Sequence, residues 1–159
     1  MSAAGIRKRP SAVEAPRRAI RALIAIGCLL PQLAGAADSV AIEHAAIVRQ
    51  FIDAFNAHDA TAMSTLLSDD VQWLSVREGE TSIEVEGKPA LVATMAAYFS
   101  ECPTCRSEIA GLTASNERVS VVEVAHWEGT DGPKSQRSMA VYEFDGALIR
   151  RIYYFPEER

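Results

Sequence analysis

The chain has 159 residues, 48% of them hydrophobic and 23% charged, with a formal net charge of −5. That composition excludes a disordered or low-complexity chain and fits one globular domain with at most a short extra segment. Three cysteines are too few for a disulfide scaffold, and the length suffices to bury a core without a metal or staple.

The charge is unevenly spread. Residues 1–36 hold six basic side chains (Arg7, Lys8, Arg9, Arg17, Arg18, Arg21) and one acid, Glu14, whereas residues 37–159 hold ten basic and twenty acidic ones. The stretch 22–30 is uncharged and mostly aliphatic, and Pro31 and the small-residue run Ala34-Gly35-Ala36-Ala37 follow it. A positive segment, a short apolar run and an A-x-A site are the order of a secretory signal peptide, expected to be cut after Ala36. The apolar run falls short of the roughly 20 residues a membrane-spanning helix needs. Cys28 follows Ala25-Ile26-Gly27, a poor lipobox, and Arg21 interrupts the apolar part that should follow a twin-arginine pair at Arg17-Arg18. The expected organisation is a signal at 1–36 and a domain at 37–159, periplasmic or secreted, with no stable membrane span after cleavage. The acidic domain would repel a phosphate backbone, so nucleic acid is not an expected partner.

From Asp38 onward the pattern resolves into elements. Ala41, Ala45, Val48, Ile52 and Phe55 form one apolar helical stripe, with Glu43, Arg49, Gln50 and Asp53 opposite, Asp38 or Ser39 as cap and Asn56 at the end. Asp59 reads as the N-cap of a short helix carrying Met63, Leu66 and Leu67, and Ser68-Asp69-Asp70 as a turn. A strand is expected over 71–76 and a short one over 83–86. Gly87-Lys88-Pro89 opens a third helix, with Pro89 at its first position, that carries Leu91, Val92, Met95, Tyr98 and Phe99 and ends before Cys102. Strands over 106–114, 118–129, 136–145 and 147–155 complete the chain, the last two joined by a two-residue Asp145-Gly146 hairpin. Helices first and a strand meander afterwards predict an α+β domain, an antiparallel sheet with helices on one face.

Over about 120 residues this order resembles the NTF2-like cone fold, and within it the SnoaL-like group. The resemblance is carried by Val48-Arg49-Gln50-Phe51-Ile52-Asp53-Ala54-Phe55-Asn56-Ala57-His58-Asp59 and by Met63, Leu66, Leu67, Ser68-Asp69-Asp70-Val71 and Trp73. Gly87-Lys88-Pro89-Ala90-Leu91, Phe144-Asp145-Gly146, Ile149 and Ile152-Tyr153-Tyr154 extend it. The resemblance implies a curved sheet closing on helices around a pocket, and often a homodimer through the outer sheet face. It leaves the reaction open, because that fold carries isomerases, cyclases, hydrolases, dehydratases and silent binding modules. Matched to steroid-isomerase-like members, the oxyanion tyrosine falls on Phe51, the general-base aspartate near Ser75 and the protonated aspartate near Ala140. None of the three is retained, which argues against that proton-transfer apparatus.

On the strand 118–129, Val119, Val121, Glu123, Ala125 and Trp127 share one face, and Ser120, Val122, Val124, His126 and Glu128 the other. The resemblance turns the first face inward. Glu123 would then sit in an apolar setting as a candidate general acid or base, unless it pairs with an arginine on a neighbouring strand or faces solvent. His126 is the alternative proton shuttle if the faces are reversed, or a structural histidine. Trp73, Trp127, Tyr142 and Tyr154, with Ser75, are candidate contacts for a flat or greasy ligand, and equally candidates for plain core. Arg137 and Arg150 could hold a carboxylate or make surface pairs.

Cys102-Pro103-Thr104-Cys105 follows a helix and precedes a strand, so it lacks the helix N-terminus a redox-active pair requires. A structural disulfide is the favoured reading in an oxidising compartment, ahead of a reduced pair, redox catalysis or weak zinc binding. His44, His58 and His126 have no ligand-like spacing, and no phosphate loop or nucleophile elbow is present, so neither metal nor cofactor is expected. Two functions remain: an exported binder of a small hydrophobic or aromatic ligand, slightly favoured by the lost acid–base positions, and a small-molecule lyase, isomerase or hydrolase using Glu123 or His126.

Overall fold

The computed structural model describes residues 32–155; the basic segment and the apolar run of the expected signal lie outside them. Its elements, in chain order, are α1 (Gln32–Asn56), α2 (Ala60–Ser64), β1 (Leu67–Arg77), β2 (Glu80–Glu86), α3 (Lys88–Glu101), β3 (Arg106–Ala114), β4 (Arg118–Gly129), β5 (Gly132–Asp145) and β6 (Leu148–Phe155). The six strands form one sheet in the order β2-β1-β6-β5-β4-β3. Four of its ladders are antiparallel and the β1–β6 ladder is parallel, so the sheet is mixed where a wholly antiparallel one was expected. The first strand joins the last instead of its own meander, a non-local pairing that no turn residue announces. Register shifts at Trp73/Leu74, Ile109/Gly111 and Glu143/Phe144 add local twist and give the sheet its curvature.

α1 packs against β3 and β4, and α3 against β1 and β2. Each helix contributes an apolar stripe to the core. From α1 come Ile47, Val48, Phe51, Ile52 and Ala54, and from α3 Leu91, Met95 and Phe99; the sheet answers with Val119, Val121, Ala140, Tyr142, Ile149 and Ile152. The α1 stripe is broader than the spacing of Ala41, Ala45, Val48, Ile52 and Phe55 implies, and takes in His44 and Phe51, while Glu43, Arg49, Gln50 and Asp53 are exposed.

Three local expectations are corrected. α1 begins at Gln32, so Asp38 and Ser39 lie inside the helix and do not cap it; the run Ala34-Gly35-Ala36-Ala37 holds no proline to stop helix growth. Ser68-Asp69-Asp70 belongs to β1 instead of a turn. Buried Leu67 and Val71 anchor it on either side, and the exposed carboxylates of Asp69 and Asp70 meet Lys88 at 2.8 Å and Arg150 at 3.1 Å. The turn-like composition is absorbed where the β1–β6 register skips between Leu67 and Gln72. Third, the final hairpin loop is Gly146-Ala147, with Asp145 already paired to Leu148; Gly146 takes the positive φ of 58° that the first loop position demands. Smaller differences are Pro89 at the second position of α3, after Lys88, and β5 beginning at Gly132. Asp59 caps α2 as expected, its side chain accepting from the Ala62 N–H at 2.8 Å.

Asn56 closes α1 and does more than end it. Its amide nitrogen donates to the Ser107 carbonyl at 2.8 Å and its amide oxygen accepts the Ser107 N–H at 2.7 Å, tying the helix end to the start of β3. Replacing Asn56 with Ala removes both bonds and leaves two backbone groups short of partners, so Asn56→Ala should lower the unfolding free energy by about 1–3 kcal/mol. Urea melts of the two proteins measure it, and coincident curves would mean that the clamp adds nothing.

Candidate functional site

Parity along the strands places the inward residues. In β4, Val119, Val121 and Glu123 face the helices, and register carries that face across the sheet: Glu123 lies opposite Ser138, Val121 opposite Ala140, and Val119 opposite Tyr142, with Ala140 in turn opposite Tyr154. On the other side of β4, Ser107 stands opposite Ala125 and Ile109 opposite Glu123. Between this concave face and the two long helices lies a cavity of about 370 Å³. Phe51, Ile52 and Phe55 of α1 and Thr94, Met95 and Tyr98 of α3 form its helical wall. Trp73, Val85, Ala125, Tyr142 and Tyr154 form its sheet wall, and its carboxylates are Glu84 and Glu123.

Glu123 is 8% exposed. Each of its carboxyl oxygens accepts one hydroxyl: Tyr142 Oη donates to Oε1 at 2.8 Å and Ser107 Oγ to Oε2 at 2.9 Å. Burial pushes its pKa above the ordinary value, since desolvation disfavours the charged form, and the bonds from Tyr142 and Ser107 offset only part of that rise. Burial, with the neighbouring Glu123 charge, drives the Tyr142 phenol well above its usual range and keeps it a neutral donor. Tyr154 Oη accepts from Ser138 Oγ at 2.6 Å, and burial raises its pKa too. At the rim the exposed Glu84 accepts from Ser75 Oγ at 2.7 Å and Ser82 Oγ at 2.9 Å; these bonds hold its pKa below the usual value.

The candidates therefore divide. Glu123, Trp73, Tyr142 and Tyr154 line the cavity, and Trp73 and Tyr154 lie side by side with ring centroids 6.3 Å apart. Glu123 neither pairs with an arginine nor faces solvent. Three others do not line the cavity. His126, one residue from Trp127, points to the opposite face by the alternation of the strand; it is 49% exposed and stands 3.6 Å from Glu108. Trp127 shares the parity of Glu123, but it lies two residues beyond Ala125 toward the β4–β5 turn, outside the lining. Ser75 turns its hydroxyl to Ser82 and Glu84, so it positions a rim carboxylate and does not line the cavity itself. Arg150 makes a surface pair with Asp70, and Arg137 is exposed.

Ser107, Tyr98 and Glu84 were not singled out from sequence. Ser107 was hidden by the register shift between Ile109 and Gly111: alternation carried from the hairpin turn pairs Ala110 with Glu123 and turns Ser107 outward, and the shift reverses that parity. Glu84 and Tyr98 depend on how β2 and α3 pack, which parity does not carry. Cys102 and Cys105 are joined by a disulfide with Cα atoms 5.4 Å apart. Tyr98 Oη donates to Cys105 Sγ at 3.1 Å, so the cavity wall touches this bridge. The Cys105 carbonyl is held by His58 Nε2 at 2.9 Å and Arg106 Nη1 at 2.6 Å, and the His58 ring stacks on Phe99 at 4.6 Å.

A curved sheet wrapped on helices around a largely apolar cavity is the α+β architecture of the NTF2-like cone. The chain belongs to the SnoaL-like domain family, whose pattern matches residues 48–152. Solved structures of the same fold include an uncharacterized cystatin-fold protein of Novosphingobium aromaticivorans, 23% identical, TM-score 0.62, covering 70% of this chain and 96% of its own. A candidate ketosteroid isomerase of Kribbella flavida is 18% identical, TM-score 0.63, with 78% and 83% covered. A candidate polyketide cyclase of Xanthomonas campestris is 19% identical, TM-score 0.56, with 74% and 93% covered. No curated protein matches the chain.

Because the folded protein keeps the Glu123 proton to higher pH than the unfolded chain does, this group favours folding most below its ordinary value of 4.5. That contribution is lost as pH rises through the raised folded value. Glu123→Gln removes the titration. Relative to the parent protein, the variant should gain stability as pH rises from about 4 to about 8. Parallel stability–pH profiles for the two proteins would place the titrating group elsewhere.

Proposed function

We propose that the protein is an exported SnoaL-like domain that holds a small hydrophobic or aromatic ligand in the cavity between the sheet and the helices α1 and α3. It does so without the steroid-isomerase acid–base set. The observation that carries this reading is the lining itself: aromatic and aliphatic side chains from both helices and five strands around a deeply set polar group, Glu123 with its two hydroxyl donors. Phe51 stands where a steroid isomerase would place its oxyanion tyrosine, and Ala140, buried, where it would place its second acid. Export rests on the signal pattern of residues 1–36, and the Cys102–Cys105 bridge suits an oxidising compartment, periplasmic or extracellular. A homodimer through the outer sheet face is the assembly the family resemblance favours.

A second reading has one observation in its favour. Glu123 is buried, its pKa is raised, and it faces an apolar cavity, the setting of a general acid or base in a lyase, isomerase or hydrolase. His126 has no part in that reading, since it lies on the other face of β4.

Native mass spectrometry of the protein purified from the compartment of export tests the proposal. The expected species is a dimer of chains beginning at Ala37, each lighter than the reduced chain by two hydrogens and carrying a noncovalent small molecule. A bare, uncleaved monomer would overturn it. If a bound molecule is recovered and proves to be turned over, Glu123→Gln should lower kcat by about a hundredfold or more; for a binder there is no turnover to lose.

A further inference from the structure

The cavity has an electrostatic character that its apolar walls conceal. Of the fourteen residues that line it, two are acids, Glu84 and Glu123, and none is lysine, arginine or histidine. Glu123 has no cationic partner among the described residues; its two contacts, Ser107 and Tyr142, are neutral hydroxyls. Glu143 on the outer face shows the contrast. It lies within 3.3 Å of both Arg118 and Arg151. An ion in a low-dielectric site is costly unless a counter-charge or hydrogen bonds compensate it, and one donor on each oxygen of Glu123 is partial compensation. The missing element is a positive charge.

The walls around Glu123 suit such a charge. Phe51, Phe55, Trp73, Tyr98, Tyr142 and Tyr154 all line the cavity, and an aromatic face attracts a cation through its quadrupole. An anionic ligand would meet two carboxylates and electron-rich rings with no positive group to receive it. A neutral ligand would leave Glu123 as it stands.

We propose that the ligand of this cavity is an organic amine, an ammonium group on an apolar or aromatic body. The ammonium lies against the Glu123 carboxylate among the rings, and Glu84 at the rim draws the cation inward. The inference rests on the reading of the cavity as a small-molecule site and names the chemical class that the site selects.

Three probes of similar size and different charge test it by calorimetric titration of the purified protein: phenethylammonium, 2-phenylethanol and phenylacetate. The expected result is phenethylammonium binding about tenfold more tightly than 2-phenylethanol, with phenylacetate the weakest of the three. Glu123→Gln keeps the side-chain shape and should bring the ammonium and alcohol affinities together while leaving the alcohol's unchanged. Glu84→Gln, an exposed change that spares the core, should lower the ammonium preference by about twofold and make it less salt-sensitive. Binding of 2-phenylethanol or phenylacetate as tight as that of phenethylammonium overturns the amine assignment and leaves the small-molecule site standing. So does an ammonium preference that survives Glu123→Gln. If none of the three probes binds, the small-molecule reading itself fails, and the amine proposal with it.

Discussion

A carboxylate taken out of water must be held by something, and much of the arrangement on the concave face of this sheet follows from how Glu123 is held. Its oxygens are reached by Ser107 from one neighbouring strand and Tyr142 from the other, so β3, β4 and β5 are joined at one side chain. Ser107 is fixed in turn by the amide of Asn56 at the end of α1. Helix end, strand start, carboxylate and phenol form one hydrogen-bonded series, and each member loses orientation if its neighbour is removed. Around it the fold supplies only bulk, aromatic and aliphatic surface from two helices and the sheet.

The same series explains why the cavity persists between well-packed layers. A wholly apolar interior would collapse onto itself to remove voids. Here a carboxyl with its donors occupies part of the inner face, and large flat rings stand around it. The polar group sets the position and the rings set the breadth. Phe51 of α1 meets Tyr142 of β5 edge to face at 5.9 Å, a contact that holds the helical wall at a fixed spacing from the sheet, and Phe55 meets Phe99 at 5.3 Å between α1 and α3.

Much of this was legible from residues alone. β3 and β4 have the bounds that alternation implies and Asp59 caps its helix, while alternation groups Glu123 with Val119 and Val121 and the family resemblance turns that face inward. What escaped was non-local or context-bound. Ser68-Asp69-Asp70 carries turn chemistry in its composition, yet Leu67 and Val71 pull it into a strand because their burial outweighs local preference. Trp127 has the right parity and the wrong depth, since alternation gives a face and says nothing of distance along it. Tyr98 is an exposed-looking helix residue, 38% accessible, whose place in the cavity wall depends on how α3 meets the sheet.

The parallel pairing of β1 with β6 has a consequence for how the domain comes to be folded. Arg150 meets Asp70 across 80 residues of chain, and the pairing flanking that contact is what makes the sheet continuous. Local hairpins among the later strands can form early, whereas β1 and β2 join them only after the longest loop in the domain has closed. Loop-closure entropy of that kind places the domain among slow-folding topologies of high contact order. Until the final eight residues of the sheet are available, β1 has no neighbour but β2. A chain truncated within β6 would therefore lose its first strands together with its last, and the two-stranded remnant they leave would not stand alone.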